Sequence, residues 1–125
     1  MPSKTKVAII EDELPIVQMY RFKFENEGYE VETASDGVSG LELVNAFRPD
    51  IILMDLMMPN MSGLEMLRQL RSNPVTKGAR VVVLTNNVGA ETAKQLRELD
   101  VTDYIIKAEL TPKQVAERVT KILQT

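Results

Sequence analysis

Four short runs of consecutive apolar residues punctuate the chain: Val7 to Ile10, Ile51 to Met54, Val81 to Leu84 and Tyr104 to Ile106. Runs of this length, apolar at successive positions, predict strands covered on both faces, as in a parallel sheet. Tyr29 to Ala34 alternates apolar with polar instead, which predicts a strand open on one face, at a sheet edge. Between the strands the period changes to that of helices. Ile16, Met19, Tyr20 and Phe24 recur at i, i+3, i+4 and i+8, and Gly28 stands where that helix would end. Gly40, Leu43, Val44 and Phe47 form a second stripe, begun near Asp36 and stopped before Pro49. Ser62 with Glu65 has the spacing of a capping box that opens a third helix. Asn87 to Leu99 reads as a fourth, with Ala93, Leu96 and Leu99 spaced by three. Thr111, Pro112 and Gln114 supply an N-cap, a first-turn proline and a capping glutamine for the fifth, whose buried stripe is Val115, Val119, Ile122 and Leu123.

Strands and helices therefore alternate strictly. The compact arrangement is α/β: an open, doubly wound, five-stranded parallel sheet with helices on both faces, joined by right-handed crossovers. At 125 residues, with no repeat, linker or low-complexity stretch, residues 1–125 are expected to form one domain.

The polar residues that follow the strands carry the chemistry. Glu11 and Asp12 follow the first run, Asp55 the third strand, Thr85 the fourth and Lys107 the fifth. In a parallel sheet the strand C-termini share one edge, where ligands bind at the point of reversed strand order. One crevice thus receives three carboxylates, a hydroxyl and an ammonium. An aspartate after a strand is commonly a cap or turn residue, and Asp12 would serve so for the first helix. The joint placement of all five residues favours a site.

Three close carboxylates repel, and a divalent, oxygen-loving cation relieves that repulsion. Mg²⁺ uses one or two carboxylates with waters and phosphate oxygens. Asp12 and Asp55 suit direct ligation, Glu11 ligation directly or through water, and the Met57 backbone carbonyl a further contact. Asp55 is the candidate nucleophile, since a carboxylate attacks a phosphoryl group to give an acyl phosphate. Lys107 and the cation would neutralise the transferring oxygens, and Thr85 would donate a hydrogen bond.

Composition narrows the field. Cysteine and histidine are both absent, which excludes disulfides, thiolate zinc sites, cysteine nucleophiles and serine–histidine triads within the chain. The net charge of −3 and the lack of a basic run argue against direct nucleic-acid binding. No apolar run approaches a membrane span and Met1-Pro2-Ser3-Lys4 lacks a signal-peptide core, so the expected location is cytoplasmic.

Several segments resemble the response-regulator receiver domains of two-component signalling. They are Ile9-Ile10-Glu11-Asp12-Glu13, Pro49 to Pro59 around Asp55 with Gly63 beyond, Val83-Leu84-Thr85, and Asp103-Tyr104-Ile105-Ile106-Lys107. The resemblance runs the length of the chain, in order and with the family's spacing. It implies a flavodoxin-like (βα)5 fold with strand order 2-1-3-4-5. It implies Asp55 as phosphoacceptor, Glu11 and Asp12 as Mg²⁺ acids, Thr85 as switch hydroxyl and Lys107 as phosphate contact. Tyr104 is implied as the aromatic that changes rotamer with Thr85, and the fourth helix, last strand and last helix as the output face. The implied partners are a sensor histidine kinase or a histidine phosphotransfer protein, and a downstream protein target. The implied role is a signalling switch, not an independent enzyme.

Three positions depart from the family pattern. Ala108 follows Lys107 where proline is usual, so a trans peptide bond and a displaced Lys107 are expected there. Asn86 stands where a small residue is favoured. The fourth helix ends in Leu99-Asp100-Val101-Thr102 without a glycine. These departures keep in view an alternative, a receiver-shaped protein-binding module that works without phosphorylation. Met57 and Asn87, two residues beyond Asp55 and Thr85, occupy places that influence water access. Apolar Met57 predicts slow hydrolysis of an acyl phosphate. The methionines from Met54 to Met66 read as core and loop packing rather than an adaptable partner surface. A flavin or nucleotide site is disfavoured, because Glu11-Asp12-Glu13 occupies the loop where a phosphate cradle needs glycines and N–H groups.

Overall fold

The computed structural model describes residues 4–86 and 89–124. In chain order these form β1 (Lys6–Ile10), α1 (Leu14–Asn26), β2 (Glu30–Ala34), α2 (Gly37–Phe47), β3 (Ile51–Asp55), α3 (Gly63–Ser72), β4 (Val81–Thr85), α4 (Ala90–Glu98), β5 (Asp103–Ile106) and α5 (Pro112–Leu123). A short 3₁₀ turn, Lys107–Glu109, joins β5 to α5. The sheet is parallel throughout, in the order β2-β1-β3-β4-β5. The fold class and strand order expected above are those observed.

The period of two divides the central strands between two cores. Val7, Ile9, Ile51, Leu53, Val82 and Leu84 pack under α1 and α5 with Phe24, Val115 and Val119. Their neighbours Ala8, Ile10, Ile52, Met54, Val81 and Val83 pack under α2, α3 and α4 with Val44, Met66, Leu67 and Leu70. Apolar runs without alternation follow directly, because both strand faces are covered. β2 lies at the open edge, with Val31 buried and Glu30 and Glu32 exposed to either side of it along the strand.

Helix ends agree with their sequence signals in most places. Asp36 caps α2 by accepting the Ser39 N–H at 2.8 Å. Thr111 and Gln114 complete both arms of a capping box at α5. At α3 only one arm forms: Ser62 accepts from Glu65 N–H, while the Glu65 carboxylate turns to Arg68 and Gln69. Gly28 has φ of 92°, a left-handed turn beyond α1 that a side chain would strain.

Three expectations need correction. The run Tyr104 to Ile106 is not covered on both faces: β5 forms the other edge of the sheet, Tyr104 is exposed and only Ile105 is fully buried. Met19 is exposed, and the buried stripe of α1 is Val17, Tyr20 and Phe24. At 100° per residue those three cluster on one side, and Met19 falls roughly 130° from their centre. The fourth helix starts at Ala90, with Gly89 as its N-cap, rather than at Asn87, which lies outside the described residues. No helix among the described residues is long and apolar enough to cross a membrane.

Candidate functional site

Register brings the acids together before any side chain is considered. Ile9 pairs with Leu53 across the β1–β3 ladder, so Glu11 and Asp55, each two positions on, lie level and on the same face. Asp55 pairs with Leu84, and Leu84 with Ile105. Lys107 is two residues beyond Ile105, on the same side of the strand, and its long stem reaches back. Its ammonium sits 3.0 Å from Asp55 Oδ2 and 3.0 Å from Glu11 Oε2. The Lys107–Ala108 bond is trans, as expected, but Lys107 is not displaced from the site.

The backbone holds the two carboxylates from their other sides. Met57 N–H donates to Asp55 Oδ1 at 3.2 Å, and Glu13 N–H donates to Glu11 Oε1 at 3.3 Å. Gly63 explains the motif glycine. A Cβ there would collide with the Asp55 carbonyl oxygen and lie 2.8 Å from Leu56 Cα. Its N–H donates to Leu56 carbonyl at 2.9 Å, which seats the start of α3 against the backbone that carries Asp55. Asn60, at φ of 67°, donates to Asp36 Oδ2 and ties the intervening loop to the start of α2.

Electrostatics mark the cluster as unfinished. Glu11 is 1% exposed, and its Oε2 has no hydrogen-bond partner among the described residues; Lys107 faces it as an ion pair without hydrogen-bond alignment. Burial raises the Glu11 pKa to about 7; Lys107 opposes this and the Asp55 charge adds to it. Burial disfavours the Lys107 ammonium, but Glu11 and Asp55 outweigh it and raise its pKa.

Asp12 is exposed at the mouth and does not cap α1, whose N-cap is Glu13 with no side-chain bond. One oxygen from each of Glu11, Asp12 and Asp55 lies within 4.8 Å of the others. An all-oxygen set of three converging carboxylates fits a hard divalent cation such as Mg²⁺. Beside it a cleft of about 370 Å³ opens, lined by Leu14, Thr33, Ser35, Ser39 and Leu43.

Thr85 is buried at the end of β4. It shares a sheet face with Val83, and Val83 pairs with Tyr104, so Tyr104 lies on the Thr85 side, two positions back. Tyr104 is 41% exposed. Met57 is 76% exposed beside Asp55 and carries no polar group to orient water. Asn86 is exposed next to Thr85, and Asn87 lies outside the described residues.

Sequence reasoning missed Tyr20. It reads as a core position and is buried, yet its phenol is near enough to Lys107 and Glu11 to feel both charges; burial dominates and raises its pKa. The available signal was a hydroxyl in an otherwise apolar stripe, since a buried phenol needs a polar partner.

Residues 7–120 match the family described as the response regulator receiver domain. The response regulator ArlR of Staphylococcus saprophyticus is 37% identical over 105 residues, which cover 82% of this chain and 46% of that protein. The chain spans about half the length of the curated relatives it matches. Among solved structures, the chemotaxis protein CheY4 of Vibrio cholerae superposes with a TM-score of 0.88 at 28% identity, covering 96% of this chain and 99% of that one. The phosphorylated cyanobacterial phytochrome response regulator RcpA superposes with a TM-score of 0.81 at 28% identity, over 96% and 91% of the two chains.

Proposed function

The chain belongs to the response regulator receiver domain family, and from that premise we propose that it accepts a phosphoryl group on Asp55 from a partner's phosphohistidine and signals through its changed surface. The observation that carries this reading is the Lys107 ammonium held 3.0 Å from both Asp55 and Glu11 at the rim of the sheet. Residues 1–125 are taken as a single such domain.

In the proposed step an Asp55 oxygen attacks phosphorus. An O–P bond forms, the P–N bond to the donor imidazole breaks, and the imidazole leaves with a proton from solvent. The donor is a partner, a sensor kinase or phosphotransfer protein, because this chain has no histidine. Met57 N–H fixes Asp55 Oδ1, which leaves Oδ2 on the Lys107 side to attack. Lys107 then stays beside the incoming phosphoryl oxygens. Asp12, Asp55, Glu11 and the Met57 carbonyl would hold Mg²⁺, which supplies positive charge against the phosphoryl oxygens.

Thr85 is assigned the hydroxyl that hydrogen-bonds the phosphoryl group, and Tyr104, on its sheet face, the ring that responds. Output passes through α4, β5 and α5 to a protein target rather than directly to nucleic acid. Intact-mass measurement after acetyl phosphate treatment tests the proposal. One added phosphoryl group is expected with Mg²⁺, and none with chelator or in Asp55→Asn. An unmodified wild-type protein would leave the phosphorylation-independent binding module as the better reading.

A further inference from the structure

α4 is held by little apolar contact. Leu96 is its single buried residue, and its N-cap is Gly89, which has no side chain to accept from the first-turn N–H groups. Its far end is different. Beyond Leu99 the chain turns through Asp100 at φ of 56°, a conformation that favours glycine and that side chains adopt at a cost. Val101 N–H returns to Leu96 carbonyl at 3.2 Å and Asp100 N–H to Arg97 carbonyl at 3.1 Å.

One side chain secures that turn. Arg71, in the last turn of α3, donates from Nε to Leu99 carbonyl at 2.8 Å and from Nη2 to Asp100 carbonyl at 3.1 Å. Its Nη1 donates to Lys77 and Ala79 carbonyls, at 2.8 and 2.7 Å, in the segment leading into β4. A single guanidinium therefore joins α3, the approach to β4 and the exit from α4. It also places a cation at the negative end of the α4 dipole. Planar fork geometry is what makes four such bonds possible from one side chain.

The topology sets the two ends of α4 apart. α3 and α4 both leave the rim that carries Asp55 and Thr85 and run back along the sheet, so Arg71 and Leu99 lie at the opposite edge. The Gly89 end of α4 follows Thr85 by four residues and so faces that rim of the sheet. We propose that the Arg71 guanidinium is the fixed pivot of α4, a positioning residue about which the helix loosens or turns at its Gly89 end while its Leu99–Asp100 end stays on α3. Only the trigger, loading of Asp55, rests on the function proposed above. The clasp itself stands without it.

Amide-resolved hydrogen exchange on the full chain tests this, for wild type, Arg71→Gln and Arg71→Lys, at rest and after acetyl phosphate with Mg²⁺. Intact mass reports the load on Asp55. At rest, Arg71→Gln is expected to speed exchange at Leu99, Asp100 and Val101 by about tenfold or more, with β1 and β3 amides unchanged. Arg71→Lys, which keeps the charge but not the fork, falls between the two. On loading, wild type is expected to change at Ala93 and Lys94 and not at Asp100 and Val101; in Arg71→Gln both ends change.

Unaltered exchange at 99–101 in resting Arg71→Gln would overturn the pivot. So would wild-type loading that moves both ends of α4 equally. If no phosphoryl group is added, the function reading fails, and the resting comparison still decides the clasp. If Arg71→Gln does not fold, Arg71→Lys carries the same comparison.

Discussion

The most informative single perturbation is Glu11→Gln, because this carboxyl is buried beside a second carboxylate, with one ammonium between them. Burial raises its pKa from 4.5 to about 7, against the pull of Lys107. The folded protein therefore binds this proton more tightly than the unfolded chain. Stability from this group is complete below pH 4.5 and is lost as pH rises to about 7. At roughly 1.4 kcal/mol per pKa unit, ionised Glu11 costs about 3 kcal/mol above that range. Urea unfolding from pH 4.5 to 8 in chelator is the assay. Wild type is expected to lose stability with pH relative to Glu11→Gln. The two should be close near pH 4.5 and separate by an amount of that order at pH 8, with the variant more stable. Millimolar Mg²⁺ should raise the stability of wild type more than that of the variant at pH 8, by giving the carboxylate a counter-charge. Parallel stability curves across the window would refute the reasoning, for they would mean that Glu11 titrates alike folded and unfolded.

Three further outcomes are expected. Gly63→Ala should destabilise by about 2 kcal/mol or more in thermal or urea unfolding, because its Cβ meets main-chain atoms of Asp55 and Leu56, which cannot rotate away. Thr111→Ala should cost about 1 kcal/mol in the same assay and leave phosphorylation of Asp55 unchanged, since the bond it removes is the one Thr111 accepts from Gln114 N–H, which touches neither Asp55 nor Lys107. Met57→Asn should shorten the lifetime of an Asp55 phosphoryl group, followed by intact mass after removal of donor, because an amide beside the acceptor can orient the attacking water.

Much of this architecture was legible in the residues. Val81 to Leu84 reads as a strand because it is buried on both faces, and the strand carries its neighbour Thr85 to the rim. Asp55 and Lys107 could be placed together because parallel strands end at one edge. Other features depend on information a linear pattern lacks. Met19 is apolar, but hydropathy alone does not say which apolar stripe of α1 turns inward; Phe22, 67% exposed, poses the same problem. The Arg71 clasp was invisible because its acceptors are backbone carbonyls, identical at every position. The absence of a glycine after α4 is plain in the sequence, but its replacement, an aspartate in a left-handed turn stitched to another helix, is a tertiary answer to a local defect.

The outermost strand has a consequence for how copies of this chain meet. A free strand border offers unpaired N–H and C=O groups to any similar border. On β2 that border carries Glu30 and Glu32, both exposed. If two copies tried to zip β2 to β2 in solution, carboxylates would face carboxylates across the seam, an unfavourable match. The two glutamates thus disfavour extension of the sheet beyond this edge by a second copy of β2.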